Sequence, residues 1–556
     1  MGEVELEIGA ALKTDWGRQS VCEMVGLASH EQLMLATTSA LLALLICANC
    51  ISHKTEHVGW VSEAGVACAL GLLGGLGVHV LYHVCGDILP PGILHFNSDL
   101  FFNVMLPPII YNAGFNMRKR LFFRNFLSIC SLGILGTLLQ FALLSSAAWF
   151  IFGRQPTLGL HINFGDCLAV GAIFASTDSV VALQVIKQDK HPLLYSLAFG
   201  EGVLNDATSV VLLGAITHFS HPIDLTRGHV LAMAEVFAWL FVGSGMLGVA
   251  MGLCSALLMK HLYLGQPDPQ REMVLMMATA FFAYGIAEVC GLSSIFAIFF
   301  CAITQSHYAL HSASPPCQLV LKQMLGTLSN VLETLIFLYC GWSALDKSLW
   351  GSARIGKAAG LSAVVLLLLL GIRLVVVLPI CMLTNTVRAH KIALPHVMIL
   401  WWAGVNRGVI TLALAFHQFA STSFSETKPE HATLVITSLL VVLFSTMVFG
   451  MITDGLLAAL LDIVDRGQND LDAPASPTAS CSPRSDRRTD GLVHRCWRNL
   501  DDRFIQRIFG GRTSNSDLAH DGHTFVGAYM SEFVTAGTDR PSTLGSDTEP
   551  LLSSDS

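Results

Sequence analysis

Charge is what this sequence has least of. Lys plus Arg number 32 and Asp plus Glu 40 in 556 residues, so charged side chains are 13% of the chain, against roughly 25% in a soluble globular domain. That scarcity excludes a soluble enzyme and a disordered scaffold. Formal net charge is −8 and no long basic stripe occurs, which excludes nucleic acid as a partner. No Asn-X-Ser/Thr sequon is present, so glycosylation offers no topology marker. Residues 1–30 lack a basic n-region followed by a cleavage site, so no cleaved signal peptide is expected. The Met-Gly start is not a myristoylation signal, because Leu6 stands where Ser or Thr is needed. The glycines Gly71, Gly74, Gly75 and Gly77 are followed by no Walker lysine, which favours close helix packing over a phosphate loop. The one CxxC, Cys47 to Cys50, has no second pair. The fifteen cysteines are scattered through apolar runs and read as small buried hydrophobes.

Apolar length is what the sequence has instead. Hydrophobic residues make up 53% and the mean hydropathy is +0.59. A membrane span needs roughly 20 apolar residues. Asn125 to Gly153 gives 29 residues without a charge, and Ala432 to Thr453 gives 22 more. This pattern predicts an all-α multi-span membrane protein of about thirteen spans. They lie near 32–51, 58–84, 100–117, 125–151, 167–186, 193–217, 229–259, 273–289, 291–310, 325–345, 358–384, 394–420 and 432–453. Loops after odd-numbered spans carry twelve Lys and Arg, and loops after even-numbered spans carry six. The odd loops and the C-terminus are therefore expected in the cytosol. Three regions follow: a luminal segment 1–31, a membrane domain 32–461 and a largely disordered cytosolic tail 462–556. In the tail, Trp497, Leu500, Phe504 and Ile508 mark a short amphipathic helix near 494–509. It would either pack under the membrane domain or dock a calmodulin-like partner. Ser476, Ser482 and Ser485 are candidate phosphorylation sites.

A carboxylate at the bilayer centre costs about 2.5–3.5 kcal/mol even on a lenient scale. Charges inside spans therefore point to function. Nine stand out: Glu63, Asp178, Glu201, Asp206, Glu235, Glu288, Glu333, Arg373 and Arg407. Seven are acidic, which suits a cation pathway. Arg373 and Arg407 are each flanked by at least 14 uncharged residues on both sides. Neither can snorkel to an interface, so each needs a carboxylate or helix C-terminal carbonyls. In the sixth span Glu201 and Asn205 share a face, and Asp206 is turned about 100° from Asn205. Asp206 is the first choice for a transport residue: a carboxylate withdrawn from water into a pocket can take either a proton or Na⁺ or K⁺. In the fifth span Ser176-Thr177-Asp178-Ser179 fits a broken helix whose freed carbonyls and hydroxyls face a cation.

These residues resemble the monovalent cation:proton antiporters, and most of all the plant-type vacuolar Na⁺(K⁺)/H⁺ exchangers. The carriers are MLPPIIYNAGF at 105–115, GAIFASTDSVVALQV at 171–185, LLYSLAFGEGVLNDATSVVL at 193–212, LETLIFLYCG at 332–341 and WWAGVNRGVITLALAF at 401–416. WRNLDDRFIQRIFGG at 497–511 is similar to that subclass as well. The resemblance covers about residues 60–460. It implies inverted repeats, a dimerisation half and a mobile six-helix core with two broken, crossing helices, here those holding Thr177-Asp178 and Arg407. It implies that Asp206 binds the cation or proton, that Asn205 supports it, and that Thr177 and Asp178 line the same site. It implies a Glu201–Arg407 pair holding the core, Arg373 tuning the site's potential and an accessory Glu333. Phe101, Phe102, Leu106, Pro107 and Pro108 fall where amiloride-type inhibitors act in relatives. The implied protein is a homodimeric secondary transporter in a vacuolar or endosomal membrane, in contact with lipid, with no cofactor and no enzymatic reaction. One carboxylate beside Asn205 implies electroneutral one-for-one exchange; an electrogenic antiporter, or a channel or sensor on the same fold, are the competing readings. Three positions depart from relatives. Gly202 stands where many animal members have Ser, Ser179 where they have Pro, and Ile508 where plant members have Pro.

Overall fold

The computed structural model describes residues 30–55, 62–85, 96–117, 119–154, 162–186, 190–218, 227–262, 268–346, 350, 354–387, 393–420 and 429–471. The amphipathic segment near 494–509, its calmodulin-like partner and the three tail serines lie outside these residues, as does most of 1–31. Among the described residues every regular element is helical.

In chain order the helices are α1 His30–Thr55, α2 Glu63–Cys85, α3 from Ser98 to Asn116, α4 Lys119–Arg124 and α5 from Phe126 to Arg154. Next come α6 Phe164–Ile173, α7 Val180–Val185, α8 Pro192–Thr217, α9 Arg227–Leu262, α10 Pro269–Val289 and α11 from Ser294 to Ser312. The last are α12 Pro315–Ser343, α13 Ile355–Val387, α14 Leu394–Ala403, α15 Val409–Phe419 and α16 from Pro429 to Leu471. Nine helices among the described residues are long and apolar enough to cross a membrane. Over the other four expected stretches, 100–117, 167–186, 291–310 and 394–420, the chain forms shorter helical pieces. The final helix runs on to Leu471, ten residues beyond the predicted edge of the membrane domain.

Local chemistry fixes the ends. Proline opens α8, α10 and α12, where its missing N–H costs nothing. The break between α10 and α11 is made by Gly291, whose φ of 65° suits a residue without a Cβ. There Leu292 N–H donates to Ala287 O at 2.8 Å, closing α10. Four helices contain one wide π turn: Phe101–Met105, Ser131–Leu135, Gln305–Ala309 and Ser445–Phe449. Such turns recur at functional sites, and the last of them touches the site below.

Packing sorts the helices into two groups. α5, α6, α8, α13, α14, α15 and α16 pack mainly with one another, as do α1, α2, α3, α9, α10, α11 and α12, and the groups meet where α8 touches α9, α2 touches α16 and α15 touches α3 and α12. Within the first group α6–α7 and α14–α15 are each an interrupted helix, and each is followed by a long one, α8 or α16. In the second group α2 lies against α12 through glycine. A Cβ at Gly75 would sit 2.7 Å from Trp342 O, and Gly71 and Gly341 meet the facing backbone more closely still. Gly74 packs on the Trp342 ring, whereas Gly77 faces open space. Of the described cysteines, Cys68, Cys167, Cys301, Cys317, Cys340 and Cys381 are buried, while Cys47, Cys50, Cys254 and Cys290 are exposed on the outside of the bundle.

Candidate functional site

The two helix breaks meet. α6 ends at Ile173 and α7 resumes at Val180; α14 ends at Ala403 and α15 resumes at Val409. Asp178 N–H donates to Asn406 O at 2.9 Å, so one unwound segment bonds directly to the other. Ser176 and Thr411 hydroxyls add a second tie at 2.8 Å. Glycine makes this approach possible. A Cβ at Gly408 would lie 2.7 Å from Asp178 Oδ2, and one at Gly404 would collide with the Arg373 guanidinium. Any larger residue at either place would displace a charged group.

The helix ends that face the breaks are treated differently. At the C-terminus of α14, Arg407 Nη1 donates to Gly404 O at 2.8 Å and to Asn406 O at 3.1 Å, offsetting the negative end of the helix dipole. At the C-terminus of α6, the Ile173 carbonyl receives only the Ser176 hydroxyl, at 2.9 Å. Asp178 Oδ1 accepts Val180 N–H at 3.0 Å and so caps α7.

Asp206 of α8 lies beside the Thr177 backbone N–H, within electrostatic range of Asp178 and Arg407. From Gly200 to Val210 the residues are buried except Val203, Asp206 and Val210, which are partly accessible. These are three and four apart and form one stripe. Asp206 is therefore the charged member of a narrow, partly accessible face over residues 200–210 of this helix. Asn205 points elsewhere: it is fully buried, and neither its Nδ2 nor its Oδ1 has a partner among the described residues.

The arginines correct one expectation. Glu201 pairs with Arg373, not with Arg407. Both partners are almost fully buried, and Arg373 also donates to Leu400 O at 3.3 Å. The reason is geometric. Arg373 projects from the continuous helix α13 through the gap left by Gly404 and reaches α8. Arg407 belongs to the unwound segment, and its side chain folds back onto that segment's own carbonyls.

A family model described as "Sodium/hydrogen exchanger, transmembrane" matches residues 59–459. The chain belongs to the sodium/hydrogen exchanger family. It is 38% identical over 512 residues to sodium/hydrogen exchanger 1 of Oryza sativa, covering 87% of this chain and 94% of that protein. It is 38% identical over 527 residues to sodium/hydrogen exchanger 2 of Arabidopsis thaliana, covering 88% and 94%. Sodium/hydrogen exchanger 8 of Rattus norvegicus is 29% identical over 515 residues, covering 86% and 84%. Among solved structures, the sodium proton antiporter MjNhaP1 of Methanocaldococcus jannaschii superposes with a TM-score of 0.56 at 17% identity, over 77% of this chain and 99% of that one. That likeness is one of fold.

In this sodium/hydrogen exchanger, Glu333 lies on α12, in the group of helices opposite the crossing. It accepts the Ser329 hydroxyl at 2.7 Å and is in electrostatic range of Asp178 and Glu63. Glu63, at the start of α2, accepts from Gln184 Nε2 of α7 at 3.2 Å and so links the two groups. Glu235 and Glu288 are exposed and lie apart from the site. Phe101 and Phe102 occupy the first wide turn of α3, and Leu106, Pro107 and Pro108 follow in the next turn, all three buried. Phe102 stacks edge-on to His417 of α15, with centroids 5.7 Å apart, which brings this segment against the second broken helix. Sequence reasoning missed Asn406, Thr411 and Ser445. Ser445 accepts Arg407 N–H at 3.2 Å and donates to Arg407 O at 2.9 Å, holding the break from the wide turn of α16. Hydroxyls at 445 and 446 inside an apolar run were the available signal.

Proposed function

We propose that this chain exchanges cytosolic Na⁺ or K⁺ for luminal H⁺, one for one, by alternating access, with Asp206 as the shared carboxylate. The observation that carries the reading is the placement of Asp206. It is a partly accessible acidic residue beside two crossing helix breaks, in electrostatic range of Asp178 and Arg407. Such a group can hold one monovalent cation or one proton, and the freed backbone of residues 174–179 can contribute oxygen ligands. Asn205, Thr177 and Asp178 support the site, while Glu201 and Arg373 brace α8 against α13. The group containing the crossing moves against the other, which forms the homodimer, and a proton gradient made elsewhere drives the cycle. The similarity to plant exchangers supports a vacuolar or endosomal membrane with the tail in the cytosol.

The test is proton movement in proteoliposomes with a preset pH gradient, with Na⁺, K⁺ or Li⁺ added in turn. Cation-dependent proton efflux from wild type, abolished in a folded Asp206→Asn and unchanged by clamped voltage, is expected. Normal exchange by Asp206→Asn would overturn the assignment.

A further inference from the structure

Two departures noted in the sequence, Gly202 and Ser179, are neighbours in space. A Cβ placed on Gly202 would meet Ser179 Oγ and, at 3.2 Å, Ser179 Cβ. The serine side chain thus fills the volume that a side chain at 202 would take. Gly202 lies one turn before Asp206 on α8, where residues four apart are about 5–6 Å apart on the same face. The Ser179 hydroxyl therefore sits, from the α6–α7 break, against the turn of α8 that leads into Asp206.

That hydroxyl has no structural employment to explain it. Ser179 is the residue before α7, but its side chain makes no capping bond. The capping bond is made instead by Asp178, through Val180 N–H. Ser179 is partly accessible, whereas 174–178 are buried. Asp206, four residues along α8 from Gly202, is partly accessible too. An oxygen that makes no capping bond to its own helix, one α8 turn from a partly accessible acidic residue, has the chemistry of a ligand for a hard monovalent cation.

We infer that Ser179 Oγ, seated in the space Gly202 leaves open, is a direct ligand of the transported cation, acting together with the Asp206 carboxylate. This deepens the proposed exchange and rests on Asp206 being the transport carboxylate. Its consequence is that one ligand rides on the broken helix and another on α8, so relative movement of the two changes the ion's coordination.

The test compares full-length variants in proteoliposomes, reading apparent KM and maximal rate for Na⁺, K⁺ and Li⁺ separately. Ser179→Ala should raise KM by about fivefold, the loss expected for one neutral oxygen contact, and unequally for the three ions. Gly202→Ala should also raise KM, because its methyl displaces the hydroxyl. Ser179→Ala combined with Gly202→Ser puts a hydroxyl back in the same space from α8 and should recover much of the affinity. Thermal unfolding of each purified variant guards against misfolding, and the double variant keeps the test sharp if either single one is unstable. Unchanged KM values for all three ions in folded Ser179→Ala, or a fall in maximal rate alone, would overturn the inference. Asp206→Asn in the same assay separates the two claims. If it is inactive while Ser179→Ala keeps wild-type KM values, the ligand role fails and the exchange reading stands.

Discussion

Arg373 of α13 and Glu201 of α8 form a buried ion pair that joins two helices of the core beside the crossing. Removing one member strands a charge in a dry interior, which typically costs about 3–5 kcal/mol. Arg373→Ala should therefore lower folded yield and thermal stability steeply. Combining Glu201→Gln with Arg373→Gln removes both charges and should recover most of that loss. Unfolding temperature in detergent, read alongside exchange rate, checks this. Equal damage in the single and double variants would show that the shape of the side chains matters more than their charge.

Arg407 has a different task, and a different outcome follows. It donates to Gly404 and Asn406 carbonyls, so Arg407→Ala uncovers a helix C-terminus and leaves Glu201 paired. The expected result is a protein whose maximal exchange rate falls more than its stability does. Fluorescence-detected size exclusion and transport on the same preparation measure both. A loss of stability as large as that of Arg373→Ala would mean that the two guanidiniums act as one unit.

On the proposed mechanism a proton and a cation exclude each other at Asp206, so acidifying the side from which the cation binds should raise its apparent KM. Below the pKa of the site the slope is about tenfold per pH unit, the linkage value for one proton against one cation. Maximal rate at saturating cation should stay nearly constant over the same range. Initial rates over a grid of pH and Na⁺ concentration test this, and a fall in maximal rate with unchanged KM would contradict it.

The fold was legible because the membrane writes it in plain terms. Uncharged stretches such as 125–153 map onto single helices, and the polar run 176–179 falls in a break. The arginine pairing was not legible. Arg373 and Arg407 are equally isolated in the sequence, and which of them meets Glu201 depends on how α13 and α14 pass the gap at Gly404. The same limit hid the meeting of Ser179 with Gly202: each stood out alone, but the break that brings them together is tertiary. Ser445 was missed because a wide turn has no distinct hydropathy signal, and its partner is a backbone 38 residues away.

Charge counting at Asn205 gives a prediction on voltage. The carboxamide is fully buried beside Asp206 without a partner among the described residues, so its place has room for the isosteric carboxylate. On the proposed mechanism, one half-cycle moves a cation one way and the other moves a proton the opposite way, so a full cycle transfers no net charge. Asn205→Asp adds a second proton-carrying group, and exchange should become sensitive to clamped membrane potential. Rates in voltage-clamped proteoliposomes decide the matter. A voltage-insensitive, active Asn205→Asp would mean that the second carboxylate keeps its proton throughout the cycle.

Ser445 offers the mildest way to perturb the crossing. One hydroxyl accepts from Arg407 N–H and donates to Arg407 O, so Ser445→Ala leaves both backbone groups of that residue unpaired. Each unmet buried partner costs about 1–3 kcal/mol, and the alternatives lie within the broken segment itself. The segment should loosen where Asn406 O receives Asp178 N–H, and hydrogen exchange at the backbone amides of 404–408 should rise. Because Asp206 is untouched, the variant should still exchange ions, but more slowly and with lower stability. Ser445→Cys, which keeps a weaker donor and acceptor of similar shape, should fall between Ala and wild type. Amide exchange over 404–408 unchanged in Ser445→Ala would show that the bonds from Asp178 and Arg407 hold the break without help from α16.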